Sequence, residues 1–481
     1  MSQNGKVVKA GLGYTIGNYL IQGLNFLTIP IFARLLTTAD YGIYNTFAAY
    51  ESVLFIIIGI AIHTSYKNAR FKYKYESEAE NSEYNFESYV SSTMIMIVVN
   101  ALLAFVILNA FYPFFHNILS LDRIELILLV MYSFGAAVVQ CFNSNAALNY
   151  KYQSFLKVSF INAVGNIGLS LIFIFFMFKN NRYMGRMLGT TLTIFVISVM
   201  IVISFLRQKR PNHVKEYLHW GVNYSLPLVP HGLSQVILSQ FDRIMINKMI
   251  NSVSAGIYSF AYNIFTILLV TYQSLDNVWA QWFYERMNEK NYAAIKKISG
   301  LYVLTLFIFT ACVLLVCPEL ILILGSAKYY NSIYCAIPII VGGFCSFLYL
   351  IPSGVEYYYE KTKYIAIGSV SAAVLNIILN YIFIKKFGYI AAAYTTLVTY
   401  FLYFMFHFAF ARKIQGFHLF NNKVIFSTII ALLVLDFLTI FLVKLIIVRW
   451  IMAIVLFGVY LLYEEKRFGI AGRFVKSKLH R

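Results

Sequence analysis

Charge is what this 481-residue sequence has least of. Asp, Glu, Lys and Arg together make up 12% of it, about half the share of a soluble domain. Too few charged residues are present to clothe a water-facing surface. The acidic side is the scarcer, with 20 Asp and Glu against 39 Lys and Arg. Cysteine is also rare: Cys141, Cys312, Cys317, Cys335 and Cys345 lie in or beside apolar runs and none forms a CxxC pair. That pattern speaks for buried thiols and against both a disulfide scaffold and a metal site. There is no DxD-like run, no metal-ligand spacing and no nucleophile motif, so a catalytic centre with its own cofactor has nothing to stand on.

What the sequence does have is apolar length. Hydrophobic residues make up 60%, and they recur in runs of roughly the 20 residues with which an α-helix crosses ~30 Å of hydrocarbon. Fourteen such runs are expected: 11–33, 41–63, 89–112, 124–148, 157–178, 185–206, 221–247, 255–280, 298–324, 333–357, 365–384, 389–411, 424–443 and 448–463. The last two are parted only by Lys444–Ile447. The fold class is thus an all-α integral membrane protein with fourteen transmembrane helices, twelve being the alternative count.

Orientation follows from lysine and arginine, which concentrate in cytoplasmic loops. With the N-terminus inside, 27 fall on the inner side, 11 on the outer side and Arg243 within a helix, so both termini are expected in the cytoplasm. In this arrangement Trp220, Trp279, Trp282 and Trp450 fall at helix ends, where indoles favour the headgroup layer. The formal charge of +19 is spread over short inner loops and the tail Glu464–Arg481. Insertion topology and anionic headgroups account for it, and no nucleic-acid partner is implied. The first apolar run is too long for a cleavable signal core, so it is expected to stay. The longest inner connection, 65–88, is basic and then acidic, which reads as a solvated or surface-lying linker. No outer loop exceeds about a dozen residues, so no extramembrane domain is expected to carry catalysis.

The halves repeat. AVGNIGLSLIFI (163–174) and AVLNIILNYIFI (373–384) share eight of twelve residues, including Asn166 and Asn376. GIY at 42–44 and at 256–258 each opens a helix, with Arg34 and Lys248 eight residues earlier; TTL recurs at 190–192 and 395–397. The offsets of 210, 214 and 205 residues imply six helices repeated as six, related by a pseudo-twofold along the membrane normal. The expected organisation is an N-lobe at 1–210, a C-lobe at 211–415 and, at 416–481, two additional helices with a basic tail, the lobes enclosing a central cavity and rocking about it.

The first and seventh helices are the chemically unusual ones. Pro30 interrupts the first; Pro227 and Pro230 interrupt the seventh, each removing an amide donor and freeing carbonyls that need partners. These prolines are the hinge candidates. The seventh also carries Asn223, Ser225, His231, Ser234, Gln235, Ser239 and Gln240, a set that hydrocarbon penalises and a wet cavity accepts. Near its end Asp242 and Arg243 are adjacent, hence about 100° apart on a helix and not a pair. Each needs a partner elsewhere or a place at the outer edge. An Asp242–Arg34 contact closing the outer mouth is one arrangement. Arg34, Asp242, Arg243 and Lys248 are therefore the substrate and gating candidates. Glu51, deep in the second helix, is the coupling candidate, as proton carrier or cation ligand, unless it merely joins helices. Asp436 reads as packing, and His63, His231 and His407 as isolated structural residues.

PIFARLLTTADYGIYN (30–45), SLPLVPHGLSQVILSQFDRIMINKMINSVSAGIYSFAY (225–262) and YYEKTKYIAIGSVSAAVLNIILNYIFIKKFGYIAAAYTTLVTY (358–400) resemble the bacterial polysaccharide (O-antigen) flippases, the Wzx-type branch of the multidrug/oligosaccharidyl-lipid/polysaccharide exporter superfamily. The likeness runs over about residues 8–415. It implies a transporter of the plasma (inner) membrane, not an enzyme. The implied cargo is an undecaprenyl-pyrophosphate-linked oligosaccharide for O-antigen or capsule, carried outward through a cationic cavity, with membrane lipids and polysaccharide polymerase or assembly proteins as partners. No cofactor and no metal are implied. A drug or organic-cation antiporter would share the fold, and would need essential acidic residues. A membrane glycan enzyme is the reading from another class, and lacks the loop or clustered His/Asp/Glu site it would need.

Overall fold

A computed structural model of the chain describes residues 3–78 and 84–468. No strand occurs among the described residues, which form eighteen α-helices. In order these are α1 (Gln3–Leu35), α2 (Thr38–Gly59), α3 (Tyr66–Glu78), α4 (Phe86–Ala110), α5 (Tyr112–Leu119), α6 (Arg123–Leu148), α7 (Tyr152–Ile172), α8 (Arg182–Gln208) and α9 (Val214–Ser225). Then follow α10 (Val229–Met249), α11 (Ser252–Asn288), α12 (Tyr292–Gly325), α13 (Ile333–Leu348), α14 (Leu350–Tyr358), α15 (Thr362–Phe387), α16 (Ile390–Gln415), α17 (Asn422–Leu442) and α18 (Ile446–Phe468).

The protein is a multi-pass membrane protein. Among the described residues twelve helices are long and apolar enough to span. The two expected segments that do not qualify are the first and the seventh. Of α1, the apolar part so measured is Leu20–Leu35, and α10 carries Asp242, Arg243 and Lys248. The prolines divide the same pair. Pro227 sits in a 3-10 turn, Leu226–Leu228, that separates α9 from α10, and Pro230 opens α10, where a missing amide costs nothing. Pro30 does not break α1, which continues through it to Leu35. A single lost hydrogen bond is tolerated when the flanking turns are intact.

Contacts divide the chain into two units, residues 1–256 and 257–481. This seam leaves α9 and α10 with the first unit, whereas the repeat places its boundary near residue 210. In the first unit α2 packs on α6 and α10, and α8 on α6 and α7. The start of the 65–88 connection is not a solvated linker. Tyr66, Ala69 and Tyr73 of α3 are buried among Tyr89, Tyr217 and Trp220, and Tyr66 shares a hydrogen bond of 2.7 Å with Thr93. Residues 79–83 of that connection, and 469–481 of the tail, lie outside the described residues.

Thr37 starts α2 with a capping box, its Oγ1 accepting from the Asp40 amide at 3.0 Å while Asp40 accepts from the Thr37 amide at 3.1 Å. One turn on, the duplicated GIY sequences meet each other. A Cβ on Gly42 would lie 1.9 Å from the Ser252 carbonyl oxygen, and one on Gly256 1.9 Å from that of Thr38. Equivalent residues of the repeat thus touch backbone to backbone, which only glycine permits. Gly42→Ala is expected to destabilise the protein by about 1–3 kcal/mol, the cost of overpacking a tight contact. The unfolding temperature in detergent checks it, and Gly256→Ala should behave alike.

In the second unit, α13 packs on α16, and α12 on α17 and α18. Trp279 is only 4% exposed and stacks on Tyr302, 4.9 Å between ring centres. It belongs to the core, not to the headgroup layer expected for it. All five cysteines are free.

Candidate functional site

The polar interior of the first unit is built on α2, α6, α7 and α8, with Phe32 of α1 beside it. Asn166 on α7 accepts from Thr190 Oγ1 at 2.9 Å and from Arg186 Nη1 at 2.7 Å, both on α8. Arg186 Nη1 also donates to Ser170 Oγ at 3.1 Å. Its guanidinium lies 3.6 Å from the centre of the Phe32 ring and 5.0 Å from that of Tyr44, within the range of cation–π attraction. The Tyr44 hydroxyl is 3.2 Å from Thr190 Oγ1. Tyr132 of α6 stacks on Phe47 of α2, 6.0 Å between ring centres. Glu51 is buried on α2.

The second unit repeats the helix contact without the charge. Asn376 Nδ2 donates to Thr396 Oγ1 at 3.2 Å, Asn380 Nδ2 to Asn376 Oδ1 at 3.1 Å, and Thr395 to Asn380. By the repeat offsets Asn376 and Asn380 answer Asn166 and Ser170, Thr395 answers Thr190, and Ala391 stands where Arg186 would be. In both copies an asparagine of one helix bonds a threonine of the next, through neighbouring positions of the TTL sequence. The arginine is an addition to that bond, and it meets no carboxylate among the described residues. Sequence reasoning passed over Arg186 as one more outer-edge charge. Comparing the two TTL copies for what precedes them was the signal that could have found it.

The residues singled out from sequence are distributed as follows. Asp242 and Arg243 are buried, and so are Ile244, Met245 and Ile246. Five consecutive buried positions go all the way round a helix, so this part of α10 is enclosed and the pair does not snorkel at an outer edge. Arg34, in the last turn of α1, is exposed. Lys248 is also exposed, at the rim of a cavity of about 490 Å³ lined otherwise by apolar and aromatic residues such as Tyr50, Phe115 and Phe241. His407 is not isolated. Its Nδ1 lies 2.9 Å from both carboxylate oxygens of Glu356, and both side chains are fully buried in the second unit. The 51-residue separation hid this pair. Asp436 is buried on α17, and its Oδ1 has no hydrogen-bond partner among the described residues.

The described residues are thus those of an all-helical membrane protein with two units. The chain belongs to the polysaccharide biosynthesis protein family, which matches residues 7–280. It is 23% identical over 390 residues to protein 1 of the Lsg locus of Haemophilus influenzae, covering 77% of this chain and 90% of that one. It is likewise 23% identical over 509 residues to an uncharacterized membrane protein of Methanocaldococcus jannaschii, covering 96% of each. Among solved structures its fold is similar to the lipid II flippase MurJ in an inward closed conformation, with a TM-score of 0.66 and 15% identity over 94% of this chain and 99% of that one. An inward-facing multidrug resistance MATE transporter of the MOP superfamily follows at a TM-score of 0.58 and 15% identity, covering 81% and 98%. The fold is that of the MOP-superfamily transporters and flippases.

Proposed function

We propose that this protein moves an undecaprenyl-pyrophosphate-linked oligosaccharide, the repeat unit of a surface polysaccharide such as O-antigen or capsule, from the inner to the outer leaflet of the bacterial plasma membrane by alternating access, with both termini in the cytoplasm. The observation that carries this reading is Arg186, a buried cation added to a helix staple that the second unit builds with alanine at that place. A buried charge without a carboxylate is costly, and a pyrophosphate is the substrate group that would repay it. Stacking on Phe32 and Tyr44 holds the guanidinium's planar fork in place for such a group.

In this reading Arg34, Arg243 and Lys248 attract the anion, Asp242 takes part in gating, and Glu51 carries the coupling proton or cation. Pro30, Pro227 and Pro230 are the points about which α1 and the α9–α10 segment bend. A pyrophosphate bears about two negative charges. A cytoplasm negative by 100 mV favours outward passage by about 2.3 kcal/mol for each charge that crosses the whole field, enough to bias the step without a gradient. Polymerase and assembly proteins would take the product.

Deleting the gene should leave lipid-linked repeat units on the inner leaflet and remove the surface glycan, as read by leaflet-selective labelling of the lipid-linked pool. An unchanged glycan with heightened drug sensitivity would move the protein to the antiporters instead.

A further inference from the structure

Between Glu125 and Glu216 the sequence holds no acidic residue, yet it carries nine lysines and arginines. This stretch covers most of α6, all of α7 and α8, and the start of α9. Their cations must find counter-charges elsewhere. Two of them, Lys151 and Lys157, are exposed and line one cavity of about 420 Å³ where α6 ends, α7 begins and α8 ends. Neither meets a carboxylate among the described residues. The 21-residue α7 begins directly after Lys151, which adds the positive end of its dipole to the same place.

The cavity has two kinds of wall. Ser154, Ser204 and Gln208 stand with the lysines, whereas Val158, Ile161 and Met200 form an apolar remainder. Ile161 and Met200 are 57% and 66% exposed, on helices long and apolar enough to cross a membrane. A soluble anion would satisfy the first wall and leave the second bare. An uncharged lipid would do the reverse. In the orientation read from the lysines and arginines, the cavity opens on the cytoplasmic leaflet, which is the one that holds anionic phospholipid.

The geometry points to a binding site for an anionic membrane phospholipid between the ends of α6, α7 and α8, its phosphate on Lys151 and Lys157 and an acyl chain along Val158, Ile161 and Met200. This proposal does not rest on the flippase reading.

The test uses the full chain in neutral detergent, with phosphatidylglycerol, phosphatidylcholine, inorganic phosphate and undecaprenyl phosphate as probes in native mass spectrometry. Phosphatidylglycerol should stay bound where phosphatidylcholine is lost. The double variant Lys151→Gln/Lys157→Gln should weaken its retention by about thirtyfold, as two surface cations at a lipid phosphate would. Ser154→Trp keeps the charge but fills the cavity and should weaken retention comparably. Lys385→Gln/Lys386→Gln, an equal change of charge in the second unit, should leave it as it was. The proposal is overturned if that control matches the double variant, or if inorganic phosphate protects as well as the lipid. It is equally overturned if undecaprenyl phosphate displaces the phospholipid, which would make the site the substrate's.

Discussion

Replacing Arg186 with glutamine is expected to lower outward transport of the lipid-linked glycan by about ten- to a hundredfold, the worth of one or two charge-assisted hydrogen bonds, and to leave the protein as stable as before. Stability should hold because the helix contact does not need the cation. Asn166 and Thr190 remain 2.9 Å apart, and the second unit also joins an asparagine to a threonine on the next helix, Asn376 to Thr396, with alanine at the position that answers Arg186. Arg186→Lys keeps the charge but loses the planar fork and its stacking on Phe32, so it should fall between. Initial rates of flipping of a fluorescent lipid-linked oligosaccharide in proteoliposomes, set beside unfolding temperatures, separate the two effects. A glutamine variant as fast as the parent, or one whose transport falls only in step with its stability, would dismiss Arg186 as a substrate contact.

The largest loss of stability is expected at Arg449. Its five N–H donors are all engaged. Nε donates to the Leu442 carbonyl at 3.0 Å, and Nη1 to the Leu315 carbonyl at 2.5 Å and Glu319 Oε2 at 2.8 Å. Nη2 donates to Glu319 Oε1 at 2.6 Å and the Val443 carbonyl at 3.0 Å. One side chain of α18 thus satisfies carbonyls at the end of α17, which a helix end leaves without partners, and a carboxylate on α12. Arg449→Ala strands Glu319 and should cost about 3–5 kcal/mol, seen as a lowered unfolding temperature. The double variant Arg449→Leu/Glu319→Leu should recover part of this loss. The stranded charge is gone, but the carbonyls of Leu442 and Val443 remain uncovered. A double variant no better than Arg449→Ala would show that the bonds to the carbonyls, not the ion pair, supply the stability.

The repeat was the most informative thing in the sequence, and two of its marks have physical roles. GIY recurs because Gly42 and Gly256 sit where no Cβ fits. Asn166 and Asn376 recur because each bonds a threonine on the next helix of its own unit. Other features were misjudged where the deciding neighbour lay far along the chain. Nothing near His407 announces Glu356, nothing near Trp279 announces Tyr302, and the charges of residues 65–78 conceal Tyr66 and Tyr73, which fill a core. Asp242 and Arg243 were legible as costly residues, but not as enclosed ones.

Sequence alone determined that the chain lives in a membrane and that its spans are helices of about 20 residues or more. These follow from the average apolarity and periodicity of short runs, which survive any arrangement of the runs in space. Only the tertiary structure decided which charges are buried, that Arg186 stacks on Phe32 while Lys151 and Lys157 share a cavity, and that α18 is tied down through Arg449. A charge has the same local sequence signature whether it faces lipid, water or a partner, and its energy is set by what other helices bring to within a few ångströms of it.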